Sequence, residues 1–396
     1  MAITDNLNPP PSPTRVYYAL GRMLAAEDFQ ADQDYHRGSL ARALSQLYGS
    51  GTVAGFNVRL PQVWQKQTSY VQWSFVFDSG NNVQVNTGAV GVSGDSVAFN
   101  ETVGDTVKDG STIVWTNYGQ LTSGAATNSW MPNRAYAPFS AIVDTNGNVQ
   151  ILTAPTGFVS GSAPPMWRRA ISATTSDGAQ SIAAWTCVGP SQLVVEVTAG
   201  LAVDRVGRMI ESQGSVCIFL QPWIDSQSMS DQTSAVKNGN MLVDVFAGFV
   251  PCTQGVTPCF ATQDNYDATD AFSPNRLLDS FSMQLVLRTD ANPHLPQDDW
   301  GGMGTVPTGP VTAGLVTALK QHILQNDGAP APVEYPPIPG FDTTSVFLAR
   351  LSVPATLNPG ASPTLSLNAT VIDNLSRLFL YPASLAARTV GLSSGG

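Results

Sequence analysis

With 396 residues, 43% hydrophobic, 12% charged and a net charge of −10, the chain is long enough for two to three domains with real cores and is not a disordered polymer. Its 19 Lys and Arg form no basic cluster, which argues against nucleic-acid or anionic-membrane binding, and no apolar run approaches the roughly 18 residues of a membrane span. The 35 Gly and 28 Pro, with abundant Ser, Thr, Asn and Gln, describe a β-rich chain with many turns.

Residues 1–14 read as a proline-rich arm without the basic start and apolar centre of a signal peptide, so cytoplasmic synthesis is expected. Val16–Leu20 is expected as a short strand. From Glu27 the pattern becomes helical. Phe29, Gln33, His36, Leu40, Ala43, Leu44 and Leu47 recur at three- and four-residue steps, with Asp28, Asp32, Arg37 and Arg42 on other faces. The expectation is that this apolar face packs on the core. Glu27 and Asp28 suit a helix N-terminus, and Gly49-Ser50-Gly51 suits its end. Thr52–Val58 then reads as a strand, with Val53, Phe56 and Val58 alternating.

Its partner is expected about 140 residues later, in Leu193–Val197 and in the hairpin Ala199–Ile210 with a turn at Asp204–Gly207. Neither half buries its apolar face alone, so the two form one domain split by an insertion. The inserted segment carries an internal repeat. Trp64 and Trp130, and likewise Gln84 and Gln150, are 66 residues apart, and each copy closes with an Asp-Gly turn before a Trp-Thr pair: Asp109-Gly110 before Trp115, Asp177-Gly178 before Trp185. Each copy reads as a small all-β unit.

Beyond the hairpin, Val216–Gln221, Met241–Phe249, Leu277–Leu287 and Ser345–Val353 read as strands, with a polar loop at Asp225–Gly239. Residues 291–310 and Ala329–Gly340 are Pro/Gly tracts that flank a helix at Val311–Gln325, with Leu315, Leu319 and Ile323 on one face. Ile372–Leu380 is ambiguous between strand and short helix. The expected fold is mainly β and multi-domain: a discontinuous β-rich core with an N-terminal amphipathic helix and an inserted pair of small all-β repeats. The expected boundaries are 1–60 for the arm, helix and first core half, 61–128 and 129–190 for the repeats, 191–290 for the second core half, and 291–396 for a C-terminal extension.

Chemistry-bearing patterns are sparse, and the chain reads as non-enzymatic, with no catalytic residue, cofactor or metal site assigned. The three histidines are His36, His294 and His322. None accompanies a nucleophile elbow, a zinc-protease helix motif or a phosphate-binding loop. Asp204, Arg205 and Arg208 suit a turn held by local hydrogen bonds. The run at 264–270, DNYDATD, is dense in carboxylates but lacks the glycine and final glutamate of a calcium loop. Cys187 and Cys217, with Cys252 and Cys259 around a Pro/Gly turn, leave free thiols, a disulfide and a metal knuckle as alternatives; the gap between the last pair is wide for a zinc knuckle and no third ligand is near. Trp64, Trp115, Trp130 and Trp185 are expected in the repeat cores. Trp73 and Trp167, which lack a tryptophan in the other copy, are candidate ligand or partner contacts, as sugar-stacking platforms. His36 is the third candidate contact, beside Tyr35.

Several of these stretches resemble a family of structural proteins from contractile, phage-tail-like injection systems. The residues are Asp28, Gln33, Tyr35 and His36 in the helix; Gly51-Thr-Val-Ala-Gly-Phe-Asn-Val58; Gly200–Ile210, of the form G-L-A-V-D-x-x-G-R-x-I; Arg276–Met283 after the cysteine loop; and Val346–Leu351 followed by Ile372-Asp-Asn374. The inserted repeats are similar to tail-fibre-associated β modules. The chain departs from the family pattern in carrying two such modules between the core halves, and in Leu44-Ser-Gln-Leu-Tyr48. The resemblance implies a structural subunit at the baseplate, spike or fibre-attachment region, contacting other particle subunits as a homo-trimer or hexamer. It also implies assembly in the bacterial cytoplasm and release with the particle. The alternative is a receptor- or carbohydrate-binding adhesion protein whose repeats meet a glycan or cell-surface receptor.

Overall fold

Two short strands pair with partners more than 130 residues away, and the core is built around them. Gly51–Gly55 runs antiparallel to Gly200–Val203, which pairs with Met209–Ser212 across the Asp204–Gly207 turn. Val58–Arg59 pairs with Val194–Val197, which in turn pairs with Val216–Phe219. Arg59 donates to both carboxylate oxygens of Glu196, at 2.8 and 3.0 Å, so an ion pair staples the two halves. Burial pushes the Glu196 carboxyl up, but the Arg59 and Ser215 hydrogen bonds and the Arg59 charge outweigh it and hold the group below its usual value.

In this computed structural model the described residues are 15–18, 20, 23–121, 129–154, 156–178, 182–255, 257–258, 272–273, 276–290, 295, 342–358, 360–365 and 370–380. The chain is mainly β and multi-domain, with antiparallel sheets and one long N-terminal helix. The arm 1–14, the carboxylate run 264–270, Cys259, His294, His322, the helix expected at 311–325 and the tract 329–340 lie outside the described residues.

The largest sheet is centred on Asn240–Gln254, flanked by Arg276–Leu287 and Val346–Asn358. Met241, Val243, Val245, Ala247 and Phe249 alternate into the main core beside Phe56, Val58, Leu60, Leu193 and Ile210. The same alternation puts Phe246 on the other face, where its ring meets Phe347 edge-on at 5.6 Å, and the register shift between Val245 and Phe246 leaves Leu348 as the extra residue on Val346–Asn358. Asp244 is fully buried and accepts from Arg288 at 2.8 Å and from Arg350 at 2.7 and 2.9 Å, so one carboxylate ties three strands.

The Ile372–Leu380 segment resolves into a strand, Val371–Asp373, and a strap that follows it. Asn374 accepts from the Val58 amide at 3.0 Å and donates to its carbonyl at 2.8 Å. Arg377 donates to the Phe56 carbonyl at 2.7 Å, and burial pushes its guanidinium down to about 10. The distant C-terminal strap thus closes over the first half of the split core.

Three expectations are corrected. Residues 15–18 form no strand, because their side chains have no sheet to enter. The polar stretch Asp225–Gly239 is not a loop: helix α2, Leu220–Asp225, runs into its start, and α3, Met229–Ala235, lies within it, capped by the Ser228 hydroxyl accepting from the Asp231 amide at 3.1 Å. The third correction concerns the long helix α1, Ala26–Tyr48. Its buried positions are Gly38 and Ala41, not the leucine stripe. Gly207 (φ +88) lies so close that a Cβ there would fall 1.8 Å from the Ala41 carbonyl oxygen, so only small residues permit this contact.

The inserted repeats form two four-stranded antiparallel sheets of the same order. Phe75–Phe77, Asn82–Asn86, Ile113–Gln120 and Thr106–Asp109 make the first. Ala141–Val143, Asn148–Leu152, Ile182–Pro190 and Thr174–Asp177 make the second. Each has its own core, around Trp115 and Trp185, and the sheets pack face to face through Phe75, Val83, Val85 and Tyr118 against Val149, Ile151 and Val188.

Candidate functional site

Most aromatic groups of the repeats are occupied by structural work. In the first copy the Asp109 carboxylate accepts from Trp64 Nε1 at 2.8 Å, Trp115 Nε1 at 2.9 Å and the Gly94 amide at 2.7 Å. In the second, Asp177 accepts from Trp130 Nε1 at 2.7 Å, Trp185 Nε1 at 3.0 Å and the Gly161 amide at 2.9 Å. The Tyr70 and Tyr136 hydroxyls accept from the Gln65 and Met131 amides, both at 2.8 Å. Burial pushes the Tyr70 phenol up to about 12. Gln84 and Gln150 each donate to an aspartate six residues before them, Asp78 and Asp144, at 2.7 Å. A carboxylate shared by two indole N–H groups satisfies donors that would otherwise be buried unpaired. The Asp-Gly pair read from the sequence as a turn is therefore also the hydrogen-bonding centre of each module. Only the paired spacing of Trp and Asp in both copies signals this.

The tryptophan candidates occupy packing positions. Trp73 has φ 69 and its counterpart is Phe139, with φ 61; Trp73 is half-buried against the core between the repeats. Trp167 stands where the first copy has Phe99: its ring meets Trp185 at 6.2 Å, as Phe99 meets Trp115 at 6.0 Å. Both positions are duplicated after all, as Trp–Phe exchanges that a search for matching tryptophans passes over. The Trp167 indole N–H is shut from water without an acceptor. One open cleft of about 680 Å³ lies beside the first sheet, lined among others by Trp64, Asp78, Phe99, Glu101 and Gln120. Asp78 there already accepts from Gly80, Asn82 and Gln84.

His36 stays at the surface of α1, edge-on to Tyr35 at 5.4 Å and 3.7 Å from Asp32. It belongs to a larger feature. The helix turns its small face inward and its apolar stripe outward: Phe29 is 52% exposed, Leu40 55% and Leu47 74%. Tyr17, Tyr18, Leu20 and Met23, just before the helix, are exposed as well. A gap of about 120 Å³ between Ala41, Leu40 and the core residues Gly207, Arg208 and Phe249 marks the loose seat of the helix. Phe29, Leu40 and Leu47, with Gln33 and His36 between them, leave one face of the helix exposed and partly apolar, a pattern that suits an interaction surface.

Asp204, Arg205 and Arg208 belong to the hairpin turn. Asp204 accepts from the Val206 and Arg208 amides at 3.0 and 2.8 Å and from Arg208 Nε at 2.6 Å, while Arg208 reaches Thr344 at 2.6 Å. Burial raises the Asp204 carboxyl more than Arg208 and the two amides lower it. Cys187, Cys217 and Cys252 are free thiols. Among the described residues no three His, Cys, Asp or Glu side chains converge as a metal site, and no helix is long and apolar enough to cross a membrane. In comparisons with protein-family models, curated proteins and solved structures, the chain matches none.

Proposed function

We propose that the protein is a non-enzymatic structural subunit of an extracellular contractile injection particle, seated at the baseplate, spike or fibre-attachment region. The observation that carries this reading is the outward apolar stripe of α1, a surface that the described residues leave exposed. A helix so oriented loses free energy in water and regains it against a neighbour; burying a Leu or Phe side chain contributes about 1.5–3 kcal/mol. The interlocked core and the face-to-face repeats suit a rigid part carried in many copies, as a homo-trimer or hexamer beside other particle subunits. The test is immunogold labelling and subunit quantitation of tail-like particles isolated from cells that make the protein. A fixed copy number per particle supports the proposal; a protein found only free in the medium or cytoplasm contradicts it.

A second reading has one observation of its own. The cleft beside the first repeat combines Trp64 and Phe99 with Glu101 and Gln120, the mixture of ring faces and polar groups that holds a sugar. It makes the repeats a receptor- or carbohydrate-binding element. Glycan-array binding that is lost in Glu101→Ala favours it, and uniform absence of binding removes it.

A further inference from the structure

The outward face of α1 has a more specific pattern than an apolar patch. Phe29, Gln33, His36, Leu40, Ala43 and Leu47 are separated by alternating steps of four and three residues, the a/d seam of a coiled coil sustained over three heptads from Ala26. All six are exposed. The two buried positions of the helix, Gly38 and Ala41, fall at f and b, on the side away from the seam. Among the described residues the body meets the helix at Gly38 and Ala41 and flanks the seam at Arg37 and Leu40, which line the gap toward Gly207 and Asp279, while Phe29, Gln33, His36, Ala43 and Leu47 stay exposed to the approach of a second helix.

We infer that α1 pairs in parallel with α1 of further copies of this chain, forming a short coiled-coil bundle about which the protomers are arranged. The inference rests on the assembly reading above and names the partner and orientation that reading leaves open. The orientation comes from the charges beside the seam. Asp32 occupies a g position and Arg37 the e position of the next heptad, five residues on. In a parallel bundle these are the two positions that meet between neighbouring helices, so each Asp32 faces Arg37 of the adjacent copy, and rotation repeats the pair around the axis. In an antiparallel pair with the same seam in register, Arg37 meets Arg37, and the like charges oppose it. Within one protomer Asp32 lies 3.7 Å from His36 and accepts from the Tyr18 hydroxyl, and Arg37 lies 4.0 Å from Asp279, so an inter-copy pair forms in competition with these contacts. Gln33 and His36 place polar groups in the middle of the seam, the arrangement that fixes register at some cost in stability.

The experiment uses the full chain with Cys217, Cys252 and Cys259 changed to serine and one cysteine introduced at the seam. Under mild oxidation, Leu47→Cys alone is expected to give disulfide-linked dimers, with Met166→Cys, at an exposed site in the repeats, as the control. An antiparallel pair instead cross-links only when Phe29→Cys and Leu47→Cys chains are mixed, and that result overturns the inference, as does cross-linking no greater than the control. In the Leu47→Cys chain, Asp32→Arg and Arg37→Asp are each expected to lower the yield several-fold and the double exchange to restore it. A double exchange that stays uncoupled, with thermal midpoints unchanged, overturns the assigned charge pair. Failure of the cross-link in a chain still counted at fixed copy number in particles removes the bundle and leaves the assembly reading standing. Cross-linking of a chain absent from particles does the reverse.

Discussion

Replacing Asp109 tests the claim that each repeat is organised around one buried carboxylate. Asp109→Ala withdraws the acceptor from Trp64 Nε1, Trp115 Nε1 and the Gly94 amide at once. Trp115 is fully buried, so its N–H finds no water, and that alone costs about 1–3 kcal/mol. Trp64 is half-buried and recovers part of its loss from solvent; the Gly94 amide adds about 1 kcal/mol. The expected total is about 3–4 kcal/mol, below the simple sum because the donors share one partner. Asp109→Asn keeps the shape but turns an N–H₂ toward at least one donor, and about 2 kcal/mol is expected. The assay is urea unfolding followed by tryptophan fluorescence. With a slope of about 1–2 kcal/mol per M, Asp109→Ala lowers the repeat transition by roughly 2 M, and Asp177→Ala does the same through Trp130 and Trp185. A wild-type midpoint for Asp109→Asn would refute the reasoning, because an amide would then serve as well as the carboxylate.

Asp244→Ala removes the partner that Arg288 and Arg350 share in a buried site, while Arg288 keeps Asp290 at 3.0 Å, and is expected to destabilise the core by about 3 kcal/mol, read as a lowered thermal midpoint; a loss under about 1 kcal/mol would show that the remaining partners compensate both cations. Excising residues 64–190 and joining Val63 to Ser191 with a short Gly/Ser linker is expected to leave a cooperatively unfolding core, since Gln62 accepts from the Val194 amide at 3.1 Å and so already holds the two junctions together; non-cooperative melting would contradict it. The Glu196 carboxyl is depressed in the folded protein, so its stabilisation is fully present above the unfolded value of about 4.5 and is lost as pH falls through the lower folded value. Glu196→Gln is accordingly less stable than the natural chain at pH 7 in urea titration, and the difference closes as the pH is lowered through the folded-state value; a difference constant with pH would remove the Arg59 pairing as its source.

The parts of the fold legible in the sequence are those written in repeated spacing. The Trp-to-Trp and Gln-to-Gln intervals mark two copies of one unit, and the alternating apolar residues of Met241–Phe249 mark a central strand. What the pattern hid was of three kinds. The apolar stripe of α1 was visible, but a stripe does not say whether its own chain or another covers it; the glycine and alanine at positions 38 and 41, together with Gly207, carry that information through close approach. Asp244 sits inside an apolar run, where its arginine partners, 44 and 106 residues away, leave no local trace. Trp73 and Trp167 looked unmatched because their counterparts are phenylalanines, which fill the same ring position with different letters. The cap Ser228–Asp231 was a readable helix signal in a stretch whose polarity suggested a loop.

Sedimentation equilibrium of the whole chain tests most directly whether α1 is covered by another chain. The natural chain is expected to self-associate with rising concentration. The pair Leu40→Glu and Leu47→Glu, at positions already exposed in the single chain, is expected to hold it monomeric with an unchanged thermal midpoint. A natural chain that stays monomeric throughout the concentration range, or a substituted chain that loses its fold, would contradict the outward assignment of the helix and the assembly built on it.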